Sequence, residues 1–561
     1  MRQAQASRGS GTGSSDPGFV SMIDYCIDKL RKMNTSDLLS NLRSNLLIPL
    51  LSIPFFLLYA RLSVSYYIGI VVSFFVILFF SMVIPPLGGY IRNVSLSLKL
   101  LAFINAFGSC YCSWYILRYY PFIWGGSPDY LRFIIMFLAL PFAWLIDLMI
   151  LDGVIKTGKD ILKKVQMSKM ESLAYLLVFL VSLVFVSVFF LSSQAYYGTE
   201  NMGDVIYTSD TPKFVQLNVF VFLNYIENDI RQPLFAVFSS PFMGFAGLVS
   251  SFFQLEIKAL IMDVLQISLL IISNIILAIL IDLSKYQRIC FVIASSCSYT
   301  CLLFSLMIEQ YIVAYFWLVL ALYLVCNRRK EAECAVCAAG GTLLTSLMLA
   351  PFICSGDRRK RVIDPFLQIV KTGAGFVILV LMLGRTDVLL ELAENFGGLS
   401  KFTGEKVGFV DKILQYLNFI RGCFIAPQSY VRREEYASWQ LMPVSTVSIT
   451  GLIILLIAVI SFVITRHDRL SQISFCWILL SFAVLVIIGW GTAENGLVLY
   501  SLYFGWAFVA LVYNFLKHLE AKTGIKHIVC VFSVLAGVAM LIYNIPALKD
   551  LFVFAVTEYP V

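Results

Sequence analysis

Residues 171–192 read ESLAYLLVFLVSLVFVSVFFLS, and residues 193–242 continue as SQAYYGTENMGDVIYTSDTPKFVQLNVFVFLNYIENDIRQPLFAVFSSPF. The first stretch carries its only charge at its start and is long enough to cross a hydrocarbon core of about 30 Å as a helix. The second breaks that pattern with Asp204, Asp210, Glu227, Asp229 and Arg231, followed by a Pro-Leu-Phe turn. An apolar run that ends in an acidic, Pro-punctuated loop points to a membrane-crossing chain whose chemistry sits in the loop.

The composition agrees with this. Of 561 residues, 59% are hydrophobic and 14% charged, against roughly 25% charged in a soluble domain. Apolar runs recur from residue 45 to the C-terminal end, at about 45–61, 64–86, 97–117, 131–152 and 171–192, then 257–283, 288–306, 310–326, 362–385, 445–465, 470–490, 496–516 and 526–547. The predicted fold is all-α, a polytopic transmembrane bundle of about 13 spans. Many of the 46 Phe and 28 Tyr residues sit near span ends, as aromatic belts do. The net charge of +8 does not imply nucleic-acid binding, because the basic residues cluster in short loops that orient a membrane chain. The 13 cysteines lie mostly inside apolar runs, where thiols behave as small hydrophobes. The Cys334/Cys337 pair has no second ligand pair at zinc spacing, so no metal site is predicted. A divalent cation at Asp204 and Asp210 stays open, although their spacing does not call for one.

Two further apolar stretches, 233–255 and 332–353, are ambiguous: either interfacial or re-entrant segments, the reading preferred, or plain crossings that would bring the count to fifteen. The loop 153–170 holds Lys156, Lys159, Lys163, Lys164 and Lys169, so the positive-inside rule makes it cytoplasmic and the acidic loop external. If 233–255 is interfacial or re-entrant, Lys285, Arg288 and Arg328 to Lys330 also fall inside. Basic residues flank 332–353 on both sides, which suits a hairpin broken at Gly340 and Gly341. Irregular backbone at depth is tolerated where protein buries it or where it lines a cavity. The resulting organisation has a cytoplasmic polar N-terminus over 1–40, disordered over 1–18 and with an amphipathic or soluble helix over 19–34. A four-span extension follows over 41–165, then a main membrane region over 166–561 with external loops 193–256 and 386–444. The N-terminus is cytoplasmic and the C-terminus external. All three histidines then fall on the cytoplasmic side, and external chemistry must use carboxylates.

Three carboxylate groups stand out on that side. Asp210 lies in Tyr207-Thr208-Ser209-Asp210-Thr211-Pro212, with Glu227, Asp229 and Arg231 about twenty residues on; the intervening FVQLNVFVFLNY could lie along the interface as a helix. A partly desolvated carboxylate acts as a general base, while Ser-Asp-Thr-Pro is also a good helix start. Glu309 sits in the tight turn Met307-Ile308-Glu309-Gln310-Tyr311, where an ionisable group at depth marks a site and a snorkelling turn residue is the plain alternative. Glu494, with Asn495, tops an aromatic-rich helix containing Tyr500 and Tyr503; a carboxylate serving the helix dipole is its plain alternative. An acidic, aromatic mouth suits a sugar, because rings pack on pyranose C–H groups and carboxylates accept hydroxyl hydrogen bonds.

In the order and topology of these motifs the chain resembles the GT-C superfamily of polytopic membrane glycosyltransferases, in a bacterial branch. The resemblance runs from residue 171 to the C-terminal end. It rests on Ser209-Asp210-Thr211, Asp229-Ile230-Arg231-Gln232-Pro233-Leu234-Phe235, Glu309-Gln310-Tyr311, Gly341-Thr342-Leu343-Leu344-Thr345 and Glu494-Asn495. Gln232 stands where many relatives carry His, and four spans precede the matching region. The resemblance implies a GT-C-like fold and inverting transfer of a sugar from a polyprenyl-phosphate-linked donor on the external face. The acceptor would be a glycan, lipid or protein, with membrane lipids around it. Asp210 best matches the acidic residue that serves as base, with Asp229 second; Arg231 would meet the donor phosphate, and Glu309, Tyr311, Glu494 and Asn495 would line the substrate site. A transporter or flippase of a lipid-linked or amphiphilic substrate is the rival expectation, and a non-catalytic scaffold the third.

Overall fold

The computed structural model describes residues 87–117, 129–199, 205–217, 219–220, 231–249, 255–353, 363–383, 385, 388, 403–493 and 496–560. The predicted spans at 45–61 and 64–86, the N-terminal segment, Asp204, Asp229, Glu494 and Asn495 lie outside these residues. Helices dominate: α1 (Leu96–Leu117), α2 (Asp129–Val165), α3 (Lys169–Ser192), α4 (Thr211–Leu217), α5 (Phe235–Val249), α6 (Leu255–Leu280), α7 (Lys285–Ser296), α8 (Tyr299–Leu306), α9 (Gln310–Cys326) and α10 (Ala332–Thr342). A 3-10 segment (Leu344–Phe352) follows, then α11 (Ile363–Met382), α12 (Phe409–Gly422), strands β1 (Ser429–Arg433) and β2 (Ala437–Leu441), α13 (Ile449–Thr465), α14 (Arg469–Phe482), α15 (Ser501–Thr523) and α16 (Ile528–Glu558). Among the described residues, five helical stretches are long and apolar enough to cross a membrane: Lys169–Ser192, Ile257–Leu280, Arg469–Ile488, Leu497–Thr523 and Ile528–Glu558. The pair α7 and α8 makes a sixth if counted as one broken span.

Polar residues set the helix starts. Ser168 and Glu171 form a reciprocal capping box at α3, as Ser284 and Gln287 do at α7, satisfying N–H groups that a first turn leaves orphaned. Gly524, at φ 72°, takes the left-handed position that ends α15.

The loops segregate to two faces. On one, Arg288 pairs with Glu171 at 2.6 Å, Arg329 with Asp160 at 2.6 Å and Lys517 with Asp282 at 2.6 Å. Lys164 also reaches Asn327, and Arg469 donates to the Phe352 carbonyl. These are the basic loops that charge bookkeeping groups together. On the other face, Ala195 N–H donates to the Pro560 carbonyl at 3.2 Å, and Tyr207 and Val205 exchange backbone bonds with Trp439.

Three sequence expectations need correction. The chain is mostly helical, as predicted, but the long loop 386–444 also carries a hairpin, β1 and β2 pairing antiparallel from Ser429↔Leu441 to Arg433↔Ala437. Trp439 and Leu441, two residues apart, are buried there, so a period of two was present in the sequence. The run 288–306 is not one helix but bends by 61° between α7 and α8. Ser298 caps the new start by accepting from Cys301 N–H, and Asn544 donates to the freed Cys297 carbonyl. The 332–353 hairpin breaks at Leu343 (φ −156°), not at Gly340 and Gly341, which stay helical. Those glycines serve close packing: a Cβ at Gly341 would strike Leu234 and Phe238, and one at Gly340 would strike Leu347.

The two irregular segments meet. The 332–352 hairpin starts and ends at the basic face, through Arg329 and Phe352. At 1.5 Å per residue α10 reaches about 16 Å inward. There Leu344 N–H donates to the Arg231 carbonyl at 2.8 Å, and Leu234 N–H to the Gly341 carbonyl at 2.9 Å. Helix α5 leaves from this contact and packs on α1, where Gly108 and Gly244 allow the backbones to touch. The next helix, α6, starts back at the loop face, with Lys258 donating to the Val215 carbonyl near its first turn.

Candidate functional site

The site forms where the acidic loop lies over the turn between α8 and α9. The chain enters through Tyr207 and Thr208, both with left-handed backbone (φ 51° and 62°). Consecutive non-glycine residues in that region store strain, which a surrounding structure must hold. Here Tyr207 is fixed by its phenol, which bonds Tyr299 and Ser429 at 2.6 Å each and accepts from Trp439 Nε1 at 3.0 Å. Burial raises the Tyr207 phenol above its ordinary range, so it stays protonated and available as a hydrogen-bond partner. Asp210 follows as the residue before α4, and Phe214 N–H donates to its carbonyl. The Ser-Asp-Thr-Pro segment therefore does start a helix, and it also delivers Asp210 to the site.

Asp210 N–H donates to Glu309 Oε1 at 2.8 Å. Glu309 is 2% exposed and precedes α9 in an extended conformation, so it is buried rather than snorkelling. Burial, and then the charge of Asp210, push its carboxyl well above the ordinary range; the Asp210 and Gln310 backbone donors and the Arg231 charge pull the other way. Desolvation favours the uncharged form of an acid. Gln266, on α6, donates to the Glu309 carbonyl at 2.9 Å and fixes the turn from below.

Arg231 supplies the positive charge. Its guanidinium carbon lies 5.7 Å from the centre of the Trp490 ring, within cation–π range. Trp490 Nε1 donates to the Tyr500 phenol at 2.8 Å, and the Tyr500 ring meets Tyr311 edge-on at 5.7 Å. On the other side of the Arg231 backbone contact, Thr345 and Ser346 share the Tyr503 phenol at 2.9 and 2.7 Å. Asp210, Arg231, Glu309 and Tyr311 thus belong to one constellation. Asp229, Glu494 and Asn495 lie outside the described residues; Gly496, next to the last two, sits against Thr208.

Sequence reasoning passed over several participants. Trp490, Gln266 and Ser346 carry no motif and reach the site only through packing, whereas Thr345 closes the Gly341–Thr345 stretch already singled out. Asp263 and Lys258 were legible in principle, since each is an ionisable residue inside an apolar run. Asp263 is 1% exposed and accepts from Tyr197 at 3.4 Å, while its second oxygen has no partner among the described residues. No group of three or more His, Cys, Asp or Glu side chains forms a metal-binding cluster among the described residues.

Chemically, the arrangement offers two neighbouring carboxyl groups, one of them pushed upward in pKa by burial, one guanidinium over an indole face, and several phenols. It can accept a proton, stabilise an anion and pack on a ring-shaped ligand. Comparison with known proteins finds no family model, no curated protein and no solved structure that matches the chain.

Proposed function

We propose that the protein is an integral membrane glycosyltransferase that moves a sugar from a polyprenyl-phosphate-linked donor to an acceptor hydroxyl on the external face, with inversion. The observation that carries this reading is the juxtaposition of Asp210 with Glu309 and Arg231 beneath an aromatic wall. Asp210 takes the proton from the acceptor hydroxyl as its oxygen attacks the anomeric carbon. The bond from that carbon to the phosphate oxygen breaks, and the phosphate leaves with the electron pair. Arg231 stabilises the charge it gains. Glu309 holds the Asp210 backbone and is a positioning residue. A single displacement needs one base, in contrast to the flanking carboxylate pair of a glycosidase. On this reading the basic face is cytoplasmic and the Asp210 face external, following the positive-inside rule.

The test is sugar transfer in proteoliposomes with a polyprenyl-phosphate monosaccharide. Asp210→Asn should fold and reconstitute but lose transfer; wild-type turnover in that variant would overturn the assignment.

The second reading, a flippase for a lipid-linked substrate, is favoured by one observation. The two irregular segments meet, Leu344 N–H donating to the Arg231 carbonyl, an arrangement that resembles the broken helices of transporters. Flux of labelled lipid without covalent product would select it.

A further inference from the structure

A buried carboxyl lies apart from the site, where α1, α2 and α5 pack together. Asp147, on α2, is fully buried. It stands about 20 Å, at 1.5 Å per residue, from Asp160, which pairs with Arg329 on the basic face. An ionisable side chain at such depth is costly and tends to mark a function. Among the described residues no cation reaches it, and its Oδ2 has no hydrogen-bond partner. The titratable side chain that faces it is Cys110 on α1, with Cys112 behind and Lys258, at the start of α6, beyond that. Helix α5 presents no titratable residue, and further along α2 Asp152 is engaged by Lys156 and Tyr90.

What Asp147 touches is a break in α5. Pro241 sits inside that helix and has no N–H to return to the Val237 carbonyl, four residues back. The Ser240 hydroxyl fills the gap. Its oxygen lies 3.1 Å from the Val237 carbonyl oxygen and 3.0 Å from Asp147 Oδ1. A hydroxyl carries one proton, and an ionised carboxylate only accepts. With Asp147 ionised, two acceptors compete for that proton and one is left unpaired inside the bundle, which is costly. With a proton on Asp147, the acid donates to Ser240 Oγ, the hydroxyl donates to the Val237 carbonyl, and the chain of bonds closes. The Phe238 carbonyl beside the break is held from outside as well, by Trp317 Nε1–H at 3.1 Å.

The helix held in this way carries part of the site. Leu234 N–H bonds the Gly341 carbonyl just after Arg231, and Ser239 donates to the Phe220 carbonyl of the acidic loop at 2.8 Å. We propose that Asp147 is a proton-binding site whose occupancy latches the break in α5 and, through that helix, the Arg231 segment. When the proton leaves to solvent, the carboxylate takes the Ser240 hydrogen bond and the first turns of α5 open at Pro241. The latch is independent of the chemistry assigned to Asp210 and belongs equally to either reading of that site.

The test is hydrogen–deuterium exchange on the full-length protein in proteoliposomes between about pH 5 and 9, with rates corrected for intrinsic exchange. In the wild type, peptides covering residues 234–244 should be protected at low pH and should open as pH rises, by up to about tenfold per pH unit, the slope for release of one proton. Asp147→Asn, whose amide donates to Ser240 without titrating, should keep them protected throughout. Ser240→Ala, which removes the shared hydroxyl, should leave them exchanging fast at every pH. Peptides of α15 are the internal reference, and a pH response of equal size there marks global unfolding and overturns the proposal. A flat wild-type profile overturns it too, as does a titration that survives in Asp147→Asn. If Asp147→Asn fails to fold, Ser240→Ala draws the same line, because pH-dependent opening that persists without the hydroxyl also overturns the latch.

Discussion

The Asp210 backbone N–H donates to the Glu309 carboxyl across 99 residues of sequence, at 2.8 Å. This bond ties the acidic loop to the turn that starts α9. Glu309 has its folded-state pKa raised by burial and by Asp210. The stability it contributes is therefore complete below the ordinary carboxylate value, about 4.3, and is lost as pH rises through the elevated folded value. Unfolding midpoints measured from about pH 5 to 9 should fall toward alkaline pH in the wild type. Glu309→Gln keeps an acceptor for Asp210 N–H without the titration, and its midpoint should depend less on pH. An identical pH profile in both proteins would contradict this assignment.

Arg231 is held by the Trp490 face and, through its backbone, by Leu344. Lysine retains the charge but not the planar stacking or the forked donors. Arg231→Lys should leave expression near wild type and reduce activity, and Arg231→Ala should reduce it further. If the proposed role in leaving-group stabilisation is right, the loss falls on kcat more than on KM.

Glu171 is fully buried, and its pairing with Arg288 at 2.6 Å joins α3 to α7. Breaking a buried pair from one side costs about 3–5 kcal/mol, because a charge is left uncompensated. Arg288→Met should lower the unfolding midpoint strongly, and adding Glu171→Gln should recover part of the loss. Strictly additive effects in that double-mutant cycle would show the two residues to be uncoupled.

Gly244 meets α1 at Asn105 and Ser109, where a Cβ would overlap the Asn105 carbonyl oxygen. Small residues let helix backbones approach this closely. Gly244→Val should force α5 and α1 apart and destabilise by about 1–3 kcal/mol or more, the usual cost of overpacking. Thermal stability in detergent reads it directly, and a neutral result would place the interface elsewhere.

Tyr207→Phe removes the hydroxyl shared by Tyr299, Ser429 and Trp439. Leaving buried polar groups unpaired costs about 1–3 kcal/mol. The β1–β2 turn should become more sensitive to limited proteolysis around 434–436, with less effect on cleavage at the basic face.

Much of the architecture was legible because apolar run length and charge asymmetry are local properties. The segments 310–326, 171–192 and 257–283 appear as helices close to their predicted bounds, and the basic loops around Lys164, Arg288, Arg329 and Lys517 share one face. The bend at Ser298 was not legible, since an apolar run reads the same whether or not a neighbour such as Asn544 accommodates a break. The glycines at 340 and 341 misled because an absent Cβ signals a turn and a close approach alike, and here it is Leu234 and Phe238 that need the room.

For the site, the sequence by itself put Asp210 and Arg231 in one loop and Glu309 in a tight turn, and the charge pattern favoured one face for all three. Only the tertiary structure decided that they meet. Left-handed backbone at Tyr207 and Thr208, the indole of Trp490 and the tip of a hairpin from the opposite face set distances between residues about a hundred positions apart. Charge pattern and hydropathy act along the chain, whereas the position of a buried carboxyl depends on partners whose identity no local pattern encodes.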